Sequence, residues 1–293
     1  DAIFREALQI STALWTGETV EFAAASSDDT DAKLKSGDAR RNELNHYLGG
    51  TIFYEGEWYW GVDRIQYLED RLRGLGLGEA GQPFIYSQPI VPEGEGGPAT
   101  GVDLHYYASF RSPYTYIAVD RVKALADAYG ANLKIRFVLP MVMRGLTVPR
   151  RKGGYIIKDV AREANRIGVP FGKIADPVGK PVERAYSILP WAIEQGRGYE
   201  FTRSFLAHVW SKGTDAGSDR GLKTITEEAG LSWDHARKLI GTEDWKPIED
   251  ANQEEMLSYG QWGVPSFRVG DVMVWGQDRL WVIENELKRH QAN

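Results

Sequence analysis

The order of predicted elements from Val102 to the end of the chain constrains the fold more than any other feature. It starts with a strand, a helix and a second strand, predicted at residues 103–107, 112–129 and 133–138. A mostly helical stretch follows, and then come two short strands joined by a turn and a final helix. This order predicts an α/β domain whose β-α-β and β-β-α halves are separated by a helical insertion at about residues 140–260.

The overall composition narrows the possible partners. The formal net charge of −6 and the lack of a long basic run give no general attraction to phosphate backbones, so nucleic acid is not an expected partner. No segment approaches the roughly 20 apolar residues that cross a bilayer, so we expect no membrane partner and a cytoplasmic location. The chain has no cysteine, which excludes a disulfide, a zinc-thiolate site and a C-x-x-C redox pair within it.

The region before Val102 predicts a separate, incomplete unit. Residues 1–78 have the pattern of helices and a hairpin, and residues 79–101 are rich in glycine and proline, which is typical of an exposed linker. We therefore expect a domain boundary at this linker, with the α/β domain occupying residues 102–293. Because the chain starts at Asp1 and not at a methionine, we also expect that it begins inside a longer gene product or after a processed segment.

An internal repeat connects the two regions. Six residues recur at one constant offset of 215: Trp60 and Trp275, Gly61 and Gly276, Asp63 and Asp278, Arg64 and Arg279, Glu69 and Glu284, Leu72 and Leu287. Chance rarely keeps such a register across a strand end and a helix. Residues 1–78 are therefore predicted to be a partial second copy of the β-β-α half.

A half-domain of this kind leaves a sheet edge and an apolar face uncovered. Ile52 and Trp58 are residues of that predicted face, and an exposed edge or apolar patch invites pairing with another surface. We expect it to be covered by the 102–293 domain, by the partner chain of a homodimer, or by an amino-terminal segment that precedes Asp1.

Ser112 and Pro113 lie where the first strand of the α/β domain leads into its helix. Serine as the N-cap with proline as the first helical residue is a sufficient structural explanation. A hydroxyl at a helix start also donates to an anion that the free N–H groups and the helix dipole favour. A thiolate is such an anion, and its pKa falls in this setting.

Val264 and Pro265 precede the third strand of the domain. An ordinary turn is one interpretation, since only about 5–6% of X-Pro bonds in folded proteins are cis. If this bond is cis, it turns a backbone edge toward the Ser112 helix, where the main chain of an extended peptide pairs in β fashion.

Gln277, Asp278 and Arg279 lie at the start of the last helix. A helix cap by Asp278 with an ion pair from Arg279 explains them structurally. Functionally, a carboxylate holds a ligand ammonium while N–H groups at the same helix start hold a ligand carboxylate. A free amino-acid head group needs both.

The three motifs in this order resemble those of one known family. They read Ser-Pro-Tyr at 112–114, Val-Pro-Ser at 264–266 and Trp-Gly-Gln-Asp-Arg at 275–279. Through these three motifs, residues 102–293 resemble the 2-hydroxychromene-2-carboxylate isomerases and the kappa-class glutathione transferases. Both are relatives of the DsbA-type thiol oxidoreductases. The resemblance implies a thioredoxin-like fold with a DsbA-type or kappa-type helical insertion, and glutathione as the cofactor.

The resemblance also implies a role for each motif residue. Ser112 matches the catalytic serine that contacts the glutathione sulfur. Val264, bonded to Pro265, matches the residue whose backbone holds the cysteinyl unit, and Gln277 and Asp278 match the pair that binds the γ-glutamyl group.

The partial copy is not expected to bind glutathione itself. At the offset of 215, Pro265 falls on Gly50 and Gln277 on Val62, so the backbone-presenting proline and part of the head-group clamp are missing. A non-proline cis bond costs about 2.5–4 kcal/mol, so Gly50 does not enforce the same turn. We therefore expect one glutathione per chain.

Two further groups of residues bear on binding. The five histidines lack the spacing of a metal centre, so no metal site is expected. The cluster Arg150, Arg151 and Lys152 is either a solvated edge or an attractor for a carboxylate at the site mouth. It belongs to the stretch from Pro149 to Tyr155 that, with Asp159, is similar to the Pro-Arg-Lys-x-x-Tyr element of kappa enzymes.

The resemblance implies a glutathione-dependent isomerase of a small conjugated or aromatic-derived molecule, or a glutathione transferase acting on a small electrophile. The alternative is a non-catalytic thioredoxin-like binding or scaffold module. Disulfide oxidoreductase activity is not expected, because no cysteine is available to form a mixed disulfide.

Overall fold

Two helices, α1 at Ala2–Thr16 and α2 at Ser27–Glu43, come first in the computed structural model. The hydroxyl of Ser26 caps α2 by accepting a hydrogen bond from the Asp29 N–H at 3.1 Å. The structure describes residues 2–19, 26–78, 81–88 and 99–292. Asp1–Gly49 and Gly50–Asn293 form separate units, and all the elements that follow belong to the second unit.

The second unit starts with a hairpin and a helix. These elements are β1 at Thr51–Tyr54, β2 at Glu57–Trp60, a 3-10 turn at Val62–Arg64 and α3 at Ile65–Gly74. The two strands are antiparallel, and Gly56 has φ +84° in the two-residue turn between them, a conformation that glycine adopts without steric cost. The helices and hairpin predicted for the amino-terminal region are thus present in the structure.

The β-α-β half follows after residue 102. It consists of β3 at Asp103–Ala108, α4 at Pro113–Ala128 and β4 at Asn132–Phe137, and its two strands are parallel. Every residue of β3 after the first is buried, as expected for a central strand that is covered on both faces. The predicted order of elements is confirmed.

The helical insertion occupies residues 150–258, within the predicted limits. Its helices are α5 at Arg150–Arg166, α6 at Lys180–Glu194, α7 at Gly198–Ala207, α8 at Asp219–Glu228, α9 at Trp233–Leu239 and α10 at Lys246–Ser258. Tyr186 of α6 fastens the insertion to the sheet, since its hydroxyl accepts from the Phe110 N–H and donates to the Val138 carbonyl. Among the described residues, no helix is both long enough and apolar enough to span a bilayer.

The β-β-α half closes the domain. It consists of β5 at Ser266–Val269, β6 at Val272–Trp275, a 3-10 turn at Gln277–Arg279 and α11 at Leu280–Ala292. The sheet order is β4-β3-β5-β6, with β5 antiparallel to both of its neighbours. This is the predicted thioredoxin-like fold with a helical insertion.

The division into units differs from the predicted domain boundary at residues 79–101. The second unit begins at Gly50, so β1, β2 and α3 belong with the α/β domain and not with the first two helices. The physical reason is a set of polar contacts from residues 60–88 to α5 and to the 3-10 turn at Gln277–Arg279. Within the predicted linker, residues 79–80 and 89–98 lie outside the described residues.

The apolar face of the hairpin is covered only in part. Tyr59 of β2 is buried, and the Arg162 guanidinium of α5 lies 4.7 Å from the centre of its ring. Trp58 is half-buried, whereas Ile52 and Phe53 of β1 are exposed. The α/β domain, which is one of the three covers expected from the sequence, therefore packs against the β2 side of the hairpin. It leaves the Ile52 and Phe53 side chains of β1 at the surface.

Candidate functional site

Strand register brings the three sequence motifs to one end of the sheet. Tyr107 of β3 pairs with Ser266 of β5, and Ser266 pairs in turn with Trp275 of β6. The carboxyl ends of β3 and β6 therefore lie beside the amino end of β5. Ser112 follows β3 and Gln277 follows β6 at this same end.

Ser112 is the N-cap of α4. Its Oγ accepts a hydrogen bond from the Thr115 N–H at 3.2 Å, and Pro113 is the first helical residue. The Ser112 side chain is half-buried, and its hydroxyl proton has no acceptor among residues 99–292 or the other described stretches. A hydroxyl that accepts from the helix start keeps its own proton for donation to a ligand anion.

The Val264–Pro265 peptide bond is cis, which the sequence left open. The Pro265 carbonyl accepts from the Gly276 N–H at 2.9 Å, so this loop is tied to the residue before Gln277. The main-chain N–H and C=O of Val264 make no hydrogen bond to another described residue. An open main-chain edge therefore lies at the end of the sheet that also carries Ser112.

Two tryptophans flank this loop. The rings of Trp262 and Trp275 are 5.1 Å apart and remain 43% and 42% exposed, and a side chain at Gly263 would come within 2.6 Å of the Trp275 ring. The Lys152 ammonium lies 5.6 Å from the centre of the Trp262 ring. The basic cluster at the start of α5 thus reaches the loop through Lys152.

The side chain of Gln277 points into the protein. It is 1% exposed, its Oε1 accepts from Arg121 at 2.6 Å, and its Nε2 donates to Glu163 at 2.8 Å. A contact of Gln277 with a ligand would therefore have to use its main chain.

Asp278 is paired with two arginines. Its Oδ2 lies 2.9 Å from Nη1 of Arg64, and its Oδ1 lies 3.5 Å from Nη1 of Arg279. The Asp278 side chain is 14% exposed. The sequence predicted an ion pair of this turn with Arg279 alone. It contains no local signal for the pair with Arg64, which lies 214 residues away.

Arg64 is the centre of a buried ion-pair network. Its Nε and Nη2 donate to both oxygens of Asp159 at 2.8–3.0 Å, and Tyr114 beside Ser112 also donates to Asp159 at 2.6 Å. Burial by itself would lower the pKa of Arg64, but the charge of Asp159 raises it well above its usual value. The guanidinium is therefore a permanent cation that connects the Asp278 turn to the start of α4.

Glu163 forms the second half of this network. It is fully buried and accepts from Tyr67 at 2.7 Å, from Gln277 at 2.8 Å and from Gln88 at 3.2 Å. Burial by itself would raise the pKa of Glu163, but the charge of Arg64 and the Tyr67 hydrogen bond hold it below its usual value of 4.5.

The Glu163 network predicts a specific acid dependence of stability. A carboxyl whose pKa is lowered on folding adds stability above its unfolded pKa and loses it as pH falls through the folded pKa. We expect the difference in unfolding free energy between the wild type and Glu163→Gln to shrink as pH falls below about 4.5. Urea denaturation of both proteins between neutral and acid pH measures this difference.

Glu249→Gln is the matched control, because burial raises the pKa of Glu249 despite the hydrogen bond that it accepts from the Leu139 N–H. A carboxyl group whose pKa is raised on folding stabilises the folded state at low pH and loses this stabilisation as pH rises. The unfolding free energy of the wild type should therefore fall relative to that of Glu249→Gln as pH rises. Equal pH trends for the two variants would contradict the assigned environments.

Comparison with known proteins finds relatives of the α/β domain that carries this site. The family model described as a DSBA-like thioredoxin domain matches residues 103–288. The chain is 22% identical over 196 residues to a 2-hydroxychromene-2-carboxylate isomerase of Pseudomonas putida, covering 64% of this chain and 94% of that protein. It is 24% identical over 203 residues to the isomerase of that name from Sphingobium xenophagum, covering 63% and 97%. The predicted resemblance to this family is confirmed.

Solved structures give the same fold. A 2-hydroxychromene-2-carboxylate isomerase aligns with a TM-score of 0.53 at 23% identity, covering 64% of this chain and 95% of its own. A probable DsbA oxidoreductase from Streptomyces coelicolor aligns with a TM-score of 0.52 at 17% identity, covering 66% and 91%. At these identities the likeness concerns the fold of the α/β domain.

Proposed function

This chain belongs to the family of DSBA-like thioredoxin domains, and within it we propose a glutathione-dependent isomerase or transferase that acts on a small conjugated, electrophilic molecule. The observation that carries the proposal is the Ser112 hydroxyl, whose proton has no acceptor among the described residues. It lies at a helix start, at the same end of the sheet as the Val264 main chain, which makes no hydrogen bond to another described residue. The curated relatives named as isomerases support an enzymatic role.

Ser112 would hold the sulfur of glutathione as a thiolate. Its hydroxyl donates one hydrogen bond, while the N-terminal end of α4 adds the partial positive charge of its free N–H groups. Thr115 fixes the orientation of the serine through its N–H. The bound thiolate supplies the nucleophile for reversible addition to a conjugated substrate.

The peptide and its head group would be held on the other two motifs. The main chain of Val264 is open to pair with the cysteinyl unit, and the cis bond to Pro265 fixes its direction. Asp278 would provide a carboxylate for the γ-glutamyl ammonium, and main-chain N–H groups at the same helix start would hold the γ-glutamyl carboxylate. Arg64 holds Asp278 in place from the buried side of the turn.

The surface beside the loop fits an aromatic or conjugated substrate. Trp262 and Trp275 offer exposed ring faces next to Val264, and Lys152 offers a positive charge at the same place. Such a surface suits a planar molecule that carries a carboxylate. Disulfide exchange is not available to this chain, because it contains no cysteine.

Replacing Asp278 with asparagine tests the head-group assignment. Loss of the charge should weaken glutathione binding by about 1–3 kcal/mol, the usual effect of removing a charged hydrogen-bond partner. Isothermal titration calorimetry of wild type and Asp278→Asn measures the two dissociation constants, and the wild type should bind one glutathione per chain.

Asp63→Asn is the matched control, because Asp63 occupies the equivalent position at the offset of 215 and pairs with Arg279. Its dissociation constant should stay close to that of the wild type. Unchanged affinity in folded Asp278→Asn would leave Asp278 with a structural role alone, and a second glutathione bound at Gly50 and Asp63 would contradict the single-site assignment.

A further inference from the structure

Residues 51–74 repeat the secondary structure of the β-β-α half position by position. At the offset of 215, β1 falls on β5, β2 falls on β6, and the 3-10 turn at Val62–Arg64 falls on the turn at Gln277–Arg279. The helices α3 and α11 start at equivalent residues. The correspondence that six residues show in the sequence thus extends to both bounds of three consecutive elements and to the start of the fourth.

The two equivalent turns exchange ion pairs reciprocally. Arg64 of the first turn pairs with Asp278 of the second at 2.9 Å, and Arg279 of the second pairs with Asp63 of the first at 2.7 Å. Because Asp63 is equivalent to Asp278 and Arg64 to Arg279, each pair is the image of the other when the two turns are interchanged.

Reciprocity of this kind is the signature of a two-fold contact. In an isologous interface, residue i of one copy contacts residue j of the other, and j contacts i in return. A translation of one copy along the other would not produce both pairs, because it does not interchange the copies. Only a rotation of about half a turn does so.

We infer that residues 51–74 occupy the place that the β-β-α half of a second copy of this chain would take across a two-fold axis. The face around Asp278 and Arg279 is thus a surface for a second copy, and the chain covers it with its own partial copy. The axis passes between the turn at Val62–Arg64 and the turn at Gln277–Arg279.

Further contacts hold the partial copy in this place. Arg64 also binds Asp159 of α5, and Tyr67 of α3 donates to Glu163 of α5 at 2.7 Å. These pairs to α5 add to the two reciprocal ion pairs and fix the partial copy on the α/β domain. The partial copy thereby delivers Arg64 to the Asp278 end of the candidate site.

Cysteine cross-linking tests this arrangement, since the chain has no cysteine of its own. The full-length double variant Asp63→Cys with Arg279→Cys is treated with a short bis-maleimide at low protein concentration, and intact mass is measured. We expect one linker joining the two positions within a single chain. Asp63→Cys with Asp271→Cys is the control, because Asp271 lies in the β5–β6 turn at the opposite end of the sheet, and this pair should take up two separate reagents.

Two results would overturn the inference. Covalent dimers of the Asp63→Cys, Arg279→Cys variant would assign the contact to two chains, and two independently capped cysteines would show that the contact does not form. Neither result depends on glutathione, so failure of this inference is distinguishable from failure of the proposed activity.

Double-mutant cycles on the two ion pairs test whether the turns are related by a two-fold rotation. One cycle combines Asp63→Asn with Arg279→Lys, and the other combines Arg64→Lys with Asp278→Asn. Shifts in the urea midpoint should be non-additive in both cycles. Additive shifts in either cycle would remove the reciprocity and with it the two-fold assignment.

Discussion

Replacing Ser112 with alanine is expected to lower the turnover of the proposed glutathione-dependent isomerisation by about 10²–10³-fold, the effect of removing one preorganised donor from a developing or bound anion. Of the two hydroxyls in the Ser-Pro-Tyr motif, that of Tyr114 donates to Asp159, whereas that of Ser112 keeps its proton for a ligand. The Thr115 hydroxyl also has no partner, but its side chain is fully buried. Steady-state kinetics with the proposed cofactor glutathione and with the compound named for the relatives, 2-hydroxychromene-2-carboxylate, measure the change.

Ser218→Ala separates catalysis from helix capping. Ser218 also caps a helix: its hydroxyl accepts from the Gly221 N–H of α8 at 3.1 Å and donates to the Asp215 carbonyl at 2.8 Å, and it lies in the insertion. Both variants should lose about 1 kcal/mol of stability through the lost cap, while only Ser112→Ala should lose turnover. Equal turnover in Ser112→Ala and Ser218→Ala would reduce Ser112 to a helix cap.

Replacing Arg64 with methionine is expected to destabilise the protein by about 3–5 kcal/mol, since it removes the bidentate partner of the buried Asp159 carboxylate and leaves it only the Arg162 guanidinium at 3.6 Å. Glu163 and Asp278 lose the same partner. Chemical denaturation monitored by tryptophan fluorescence measures the free energy of unfolding.

Arg71→Met in the neighbouring helix α3 is the control for the loss of an arginine. Its guanidinium pairs with Glu55 at 3.2 Å, and that carboxylate is 63% exposed, so the pair is solvated and contributes little. A loss in Arg64→Met no larger than that in Arg71→Met would mean that the network around Asp159 does not hold the hairpin and α3 on the α/β domain.

The sequence was sufficient where local chemistry decides the structure. The Ser-Pro pair at residue 112 predicted a helix start because a hydroxyl cap and a fixed φ favour one there. The order of strands and helices after Val102 predicted the fold, since few topologies accommodate it.

Long-range contacts could not be predicted in the same way. Arg64 meets Asp159 and Asp278 across 95 and 214 residues of chain, and no periodicity or spacing encodes such a meeting. For the same reason the glycine-rich and proline-rich composition of residues 79–101 predicted a loop but could not show that residues 51–74 lie on the α/β domain. The orientation of Gln277 likewise depends on Glu163 and Arg121, which the sequence places far from it.

The thiol pKa of bound glutathione shows whether Ser112 stabilises a thiolate. Ultraviolet absorbance of the thiolate is followed against pH with protein in excess, for the wild type and for Ser112→Ala. We expect a wild-type thiol pKa well below the free value of about 8.5 and a return toward that value in Ser112→Ala. An unshifted titration in the wild type, or the same shift in both proteins, would contradict it.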